Sequence, residues 1–319
     1  MSSMKQVLVL GGTGFVGRAA CEALAERAPA TRVRVPTRRA AHGNSVRFLP
    51  NVDLLSANVH DEAALRRLVA GCDAVINLVA ILHGSAAAFE QVHVALPRKL
   101  AQACQAAGVR RLVHVSALGV GPNSPSNYLR SKTAGEAVLS EAKLDLTVLR
   151  PSVIFGVDDH FLNLFAQLQA VAPVFPLAGG GARFQPVWVQ DVAQGIVAAL
   201  MQQQSIGQVI ECAGPDVLTL SELVRLSGRW AGAERPQIPL PAPVGRLQAA
   251  MMEWLPGEPL MSRDNVDSMR VPNVASGKLP GLQSLGITPA AVAAVAPGYL
   301  GRHQGVARLD VWRRLARRD

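Results

Sequence analysis

The stretch Val7-Leu8-Val9-Leu10-Gly11-Gly12-Thr13-Gly14-Phe15-Val16-Gly17 decides how this chain is read. Four consecutive apolar residues without alternation predict a strand buried on both faces, as in a parallel sheet. Gly11, Gly14 and Gly17 then form GxxGxxG, and the Ala-rich run from Phe15 to Ala28, closed by Pro29, predicts a helix. Glycine allows a tight turn and lets backbone come close to a pyrophosphate. The helix N-terminus adds N–H donors and a positive dipole. A glycine motif between a buried strand and a helix, inside the first βαβ unit, is the context that dinucleotide binding requires.

Outward from that stretch the pattern repeats. Arg32 to Thr37, Val52 to Leu55, Ala74 to Leu82, Arg111 to Val115 and Asp145 to Arg150 read as strands. Asp61 to Ala70, Phe89 to Ala107 (stopped by Gly108) and Tyr128 to Ala142 read as helices. Alternation of this kind predicts an α/β fold, a doubly wound parallel sheet covered on both faces. After Pro151 the pattern loosens. Asp159 to Val171 and Gln190 to Gln203 read as helices. Thr219 and Glu222 form a capping box before the helix Leu220 to Trp230, and Val244 to Trp254 is a further helix in a proline-rich tract. Asp159 and Asp191 read as caps of the helices that follow them. The expected organisation is a dinucleotide-binding domain over 1–156 and a smaller substrate-side region over 157–319.

Composition narrows the field. The 319 residues are 49% hydrophobic and only 17% charged, which excludes a largely disordered chain. No apolar run reaches the roughly 20 residues of a membrane span, and the N-terminal apolar run enters the glycine motif rather than a cleavage site. Four cysteines without paired spacing suggest neither a zinc site nor a disulfide framework, which fits a reducing, cytoplasmic setting. The net charge of +9 lies at the two ends, with eight Lys/Arg against two Glu in 1–50 and six Arg against two Asp in 300–319. Aromatics are 4% and are not interleaved with basic residues, so nucleic-acid binding is not expected. The histidines share no ligand spacing, so no metal is expected either. His83 reads as a loop histidine and His114 as a core one.

Two residue sets carry the chemistry. The second strand ends Val35-Pro36-Thr37-Arg38-Arg39, with no acid for the ribose hydroxyls. Guanidinium groups there suit a ribose phosphate, so Arg38 and Arg39 predict NADP(H) in preference to NAD(H). Further on, Tyr128-Leu129-Arg130-Ser131-Lys132 is YxxxK on a predicted helix, which sets both side chains on one face. Hydride transfer at a carbonyl needs a proton donor, and a neighbouring ammonium favours the phenolate that donation leaves behind. Tyr128 is therefore the expected acid/base. Lys132 tunes it and holds the cofactor ribose. Ser116, at the carboxyl edge of the fifth strand, positions the substrate.

These motifs resemble the extended or atypical short-chain dehydrogenase/reductase superfamily. The likeness rests on the GGTGFVG loop, Asn77-Leu78-Val79-Ala80, Val113-His114-Val115-Ser116, YxxxK and Leu149-Arg150-Pro151-Ser152-Val153-Ile154-Phe155-Gly156, with Val187 to Ala193 extending it. Within that superfamily the chain is most similar to bacterial relatives of the nucleotide-binding accessory subunit of respiratory complex I; the run Pro256-Gly257-Glu258-Pro259 to Pro272-Asn273-Val274 also looks like that group. The resemblance implies a Rossmann fold in which Thr13, Phe15 and Val16 line the pyrophosphate. It further implies that Asn58 and Val59 approach the adenine, Ala80 flanks the ribose, and Pro151 and Val153 face the nicotinamide. Two departures stand out. Asn58 occupies a position where many relatives carry Asp, and His93 lies near the place of an Asn often seen in the fourth helix.

Three functions follow as expectations. The first is an oxidoreductase or epimerase-type enzyme acting on a carbonyl or secondary alcohol, with an apolar, lipid-like or quinone-related substrate suggested by the second half of the chain. The second is a redox-inert NADPH-binding accessory subunit or assembly factor of a respiratory membrane complex. The third, a sensor of NADP(H), is disfavoured by the Tyr/Lys pair. The tail Arg308 to Arg318 sets Leu309, Trp312 and Ala316 on one helical face among arginines, a pattern suited to peripheral contact with anionic lipid at the inner face of a membrane.

Overall fold

A computed structural model describes residues 4–39, 43–254 and 261–301. The basic tail 308–318 and the run 256–259 lie outside the described residues. The chain forms two compact units. Residues 1–151, 189–212 and 275–288 make the first, and residues 152–188, 213–274 and 289–319 make the second. The sequence placed one boundary near 156; the contacts place it at 151 and return 189–212 to the first unit. The reason is visible in the pairing: the strand Val209–Cys212 hydrogen-bonds alongside residues 148–151 and extends the sheet.

The first unit contains β1 (Gln6–Leu10), α1 (Phe15–Arg27), β2 (Arg32–Thr37), β3 (Val52–Ser56), α2 (Glu62–Val69) and β4 (Ala74–Asn77). α3 (Ala86–Glu90), α4 (Leu96–Ala107), β5 (Arg111–Val115), α5 (Asn127–Glu141) and β6 (Asp145–Pro151) follow. With Val209–Cys212 the strands form a seven-stranded sheet in the order Val209–Cys212, β6, β5, β4, β1, β2, β3. Every pairing is parallel. The order reverses between β1 and β4, the switch point at whose carboxyl side doubly wound sheets bind ligands. Parallel strands bury both faces, which is why Val7, Leu8, Val9 and Leu10 are all fully buried. Each stabilises the fold by about 1.5–3 kcal/mol relative to an exposed side chain. α1 packs against the helix Val189–Met201, while α2 packs against α4 and α4 against α5.

Three expected boundaries move. The fourth strand stops at Asn77 rather than Leu82, because the Asn77 side-chain oxygen accepts the Val79 N–H (3.3 Å) and turns the chain. The long helix from Phe89 is interrupted by a π turn, Gln91–Ala95, in which the Leu96 N–H reaches back to the Gln91 carbonyl. Pro97 has no N–H to give the His93 carbonyl, so a regular α turn cannot close there. Asp191 sits inside Val189–Met201 and acidifies its first turn instead of preceding it as a cap.

The second unit has its own core, built from Phe155, Leu162, Phe175, Phe184, Leu223, Val224 and Tyr299 among others. Its helices Leu162–Val171 and Leu220–Trp230 pack together. The second carries the expected capping box, with Thr219 and Glu222 bonded reciprocally. Asp159 does not start the helix that follows, which begins at Leu162. Its carboxylate instead accepts from the N–H groups of Gly156, Phe161 and Asn163 and from the Tyr299 hydroxyl (2.8 Å), holding the loop before that helix. Among the described residues no helix is long and apolar enough to cross a membrane.

Candidate functional site

The loop after β1 is shaped by what glycine lacks. Gly11 has φ of +80°, which side-chain-bearing residues rarely adopt. A Cβ on Gly17 would sit 2.1 Å from the Gly11 carbonyl oxygen. The loop therefore folds tightly onto the start of α1, whose first residues are Phe15 and Val16. Gly14 precedes that helix without a side-chain cap, so the first-turn N–H groups have no side-chain acceptor there. This is the arrangement that receives a pyrophosphate.

Beside it lies a cavity of about 500 Å³. Gly11 and Thr13 line it from the end of β1; Pro36, Thr37, Arg38 and Arg39 from the end of β2; Ala57, Val59 and His60 from the end of β3; and Val79 from beyond β4. Four adjacent parallel strands thus contribute their carboxyl ends. Among the described residues the lining holds two guanidinium groups and no carboxylate. The Thr37 hydroxyl accepts the Arg39 N–H (3.3 Å) and donates to its carbonyl (3.0 Å), fixing the turn that presents the arginines. Burial, then Arg38 and Lys99, hold the His60 imidazole below its ordinary range.

Of the sequence candidates, Gly11, Thr13, Arg38, Arg39 and Val59 line this cavity. Gly14, Phe15 and Val16 stand at the adjoining start of α1. Asn58 is exposed, and its side-chain oxygen accepts the His60 N–H (3.1 Å). Ala80 is exposed beyond β4, and Pro151 is buried at the end of β6. Val153 belongs to the second unit, where its N–H donates to the Asn273 side chain (2.8 Å). Pro36, Thr37, Ala57, His60 and Val79 escaped the sequence reading. Their signal was positional: Pro36 and Thr37 end a predicted strand, Val79 lies late in another, and Ala57 and His60 follow a third.

Ser116, Tyr128 and Lys132 belong to the same unit. Ser116 follows β5, and its buried hydroxyl has no hydrogen-bond partner. Such an orphan is costly, and points to a group that a ligand would satisfy. Lys132 is buried one turn after Tyr128 and donates from Nζ to the Val115 carbonyl (2.8 Å), next to Ser116. Burial pushes Lys132 down to about 8, while Glu136 pulls it back up. Glu136 is itself buried and paired with Arg150 (3.0 Å). The Tyr128 ring packs edge-on against Phe89 and His93, with centroids 6.2 and 5.6 Å away. Burial pushes its phenol up to about 12.

His93 is the neighbour whose role sequence could not define. Its Nε2 accepts the Ile81 N–H (3.1 Å), so Nδ1 carries the ring proton and donates to Ser131 Oγ (2.8 Å). Ser131 in turn donates to the Tyr128 carbonyl (2.8 Å). This relay ties the segment after β4 to the first turn of α5. Burial, then Lys132, push His93 down to about 3, so the neutral form persists at ordinary pH. α5 can lie this close because residue 135 is glycine: a Cβ there would be 2.0 Å from the His93 carbonyl oxygen. His114 is buried within β5 against the Asn77 amide (3.2 Å), a core histidine.

A seven-stranded parallel sheet with this glycine loop and cavity defines an NAD(P)-binding protein of epimerase/reductase type. The sequence model of the NAD dependent epimerase/dehydratase family matches residues 7–213, and the chain belongs to that family. It is 33% identical over 310 residues to the mouse mitochondrial NADH dehydrogenase [ubiquinone] 1 alpha subcomplex subunit 9, covering 93% of this chain and 80% of that protein. It is 32% identical to the ceramide reductase of Caulobacter vibrioides, covering 74% of each. Among solved structures, the Escherichia coli NADPH-dependent quinone oxidoreductase QOR2 complexed with NADPH superposes with a TM-score of 0.75 at 19% identity, covering 92% of this chain and 99% of that one.

Proposed function

We propose that this protein binds NADP(H) in preference to NAD(H) and acts on a carbonyl or secondary alcohol of an apolar, lipid-like or quinone-related compound. The observation that carries the reading is the cavity itself, where Arg38 and Arg39 share a wall with the glycine loop and, among the described residues, no carboxylate lines it. A phosphate monoester is well matched to paired guanidiniums. The residues fit the coenzyme: the glycine loop leaves room where a Cβ would intrude, and Ser116 offers a buried, unpartnered hydroxyl. Gly11, Thr13, Gly14, Phe15 and Val16 would hold the pyrophosphate, Val59 the adenine and Lys132 the ribose.

When bound, the coenzyme supplies or accepts the hydride. In the reducing direction Ser116 orients the carbonyl oxygen through its free hydroxyl. Tyr128 gives that oxygen a proton, and the Lys132 ammonium stabilises the phenolate left behind. Burial opposes both charged forms, so the pair works only while Lys132 keeps its proton, a state Glu136 favours. The ceramide reductase relative supports an apolar carbonyl class. Calorimetry with NADPH and NADH tests the cofactor reading. NADPH should bind about 10- to 100-fold more tightly than NADH, as expected for charge-assisted hydrogen bonds worth about 1.5–3 kcal/mol. Arg38→Ala should remove most of that gap. Equal affinities in the parent protein overturn the preference.

The likeness to a complex I subunit, over 93% of this chain, favours a second reading, in which the coenzyme stabilises the fold of an accessory subunit of a respiratory membrane complex and nothing turns over.

A further inference from the structure

His60 shares the cavity wall with Arg38, Arg39, Ala57 and Val59, yet neither the glycine loop nor the paired arginines account for it. Its main chain is held on both sides. The N–H donates to Asn58 Oδ1 (3.1 Å), and the carbonyl accepts from Lys99 Nζ (2.9 Å), reaching across from α4. The His60 backbone is therefore anchored at the wall by bonds that do not involve the ring. The charges acting on it are Arg38 and Lys99, both cationic. The adjacent carboxylate, Asp61, is turned to the Ala63 N–H (3.1 Å), where it caps α2. His60 thus lines the cavity with Arg38, and burial together with the cations Arg38 and Lys99 disfavours a charge on its imidazole.

We propose that His60 is a specificity-determining residue for a phosphorylated ribose, taking up a proton when a phosphate monoester is held beside Arg38 and Arg39. This rests on the reading of the cavity as an NADP(H) site. A dianion beside the imidazole offsets both cations and favours the imidazolium. A ligand that raises the pKa of a group binds with proton uptake, so its affinity rises as pH falls between the free and bound values. NADH, which lacks the monoester, gains nothing. The same window explains why the effect must be sought above about pH 6, where the phosphate keeps its second charge.

The test is calorimetric titration of the full chain with NADPH and with NADH between about pH 8 and about pH 6.5. In the parent, the ratio of NADPH to NADH affinity should rise about fivefold over that window, since each unit of pKa shift traversed is worth up to about tenfold. The NADPH enthalpy should also depend on the ionisation enthalpy of the buffer. His60→Gln keeps a polar side chain of similar size and leaves the two main-chain bonds in place. It should flatten the pH dependence of the NADPH-to-NADH affinity ratio. A variant that keeps the parent's pH dependence overturns the proposal, as does an equal loss for both coenzymes, which would make His60 an adenine contact. A parent that prefers NADPH with no pH dependence overturns His60 alone. A parent that binds both coenzymes equally at every pH overturns the cavity assignment as well.

Discussion

At the carboxyl ends of β1, β2 and β3 the charged groups face open space. Arg38 and Arg39 are exposed on a cavity wall, fixed by a short Thr37 turn. At the carboxyl end of β5 the charged groups are withdrawn from solvent and already bonded within the protein: Lys132 to the Val115 carbonyl, Glu136 to Arg150. The first region is shaped by its backbone. The second holds a phenol pushed up to about 12 beside an amine pushed down to about 8. Its groups therefore rest away from the ion pair that proton transfer creates. On the proposed reading, binding and turnover therefore draw on different regions.

That contrast predicts that lesions in the two regions separate binding from turnover. Tyr128→Phe should lower NADPH-dependent carbonyl reduction by about 10²- to 10⁴-fold, the span typical of a lost acid/base group. Its NADPH affinity, measured by titration, should match the parent. An unchanged biological activity in this variant, with co-purification of a membrane complex, would instead favour the accessory-subunit reading. Gly17→Ala acts at the other region. Its Cβ would collide with the Gly11 carbonyl, so unfolding stability should fall by about 2–3 kcal/mol and binding of both coenzymes should be lost together. Denaturant unfolding and calorimetry on one preparation check both halves.

The smallest expected effect concerns His93. Its pKa falls from 6.5 to about 3 on folding, so between those values the unfolded chain takes up a proton that the native chain refuses. Stability must therefore drop as the pH is lowered through that window, up to about 1.4 kcal/mol per unit. His93→Gln should reduce the difference in stability between pH 7 and pH 4.5 by about 1–2 kcal/mol. His114, buried and also held below its ordinary range, keeps the remainder of the acid sensitivity. An unaltered slope would mean that His93 is protonated in the native fold and that its bond to the Ile81 N–H is not the one that orders the site.

Much of this was legible before any coordinates. The strand Arg32–Thr37 and the helix Leu220–Trp230 fall where periodicity and capping place them, because local propensity and burial agree there. What periodicity could not show was the end of the fourth strand, where the Asn77 side chain overrides an apolar run that continues to Leu82. Nor could it show the π turn at Gln91–Ala95, which depends on a missing N–H at Pro97 and a close approach at Gly135. The cavity was half legible: Arg38 and Arg39 drew notice by charge, whereas His60 and Val79 were marked only by lying toward the carboxyl ends of strands.

By itself the sequence determined that a glycine loop would join a two-sided strand to a helix, since steric room and hydrophobic pattern are written locally. It also offered Ser116, Tyr128 and Lys132, by type and spacing, as the candidates for proton transfer. Only the tertiary structure decided which carboxyl ends lie side by side. The order of the strands is a matter of long-range pairing, and it is this order that brings His60 to the wall of Arg38. Burial, which exists only once the chain is packed, shifted the proton affinities of Lys132, Tyr128 and His93.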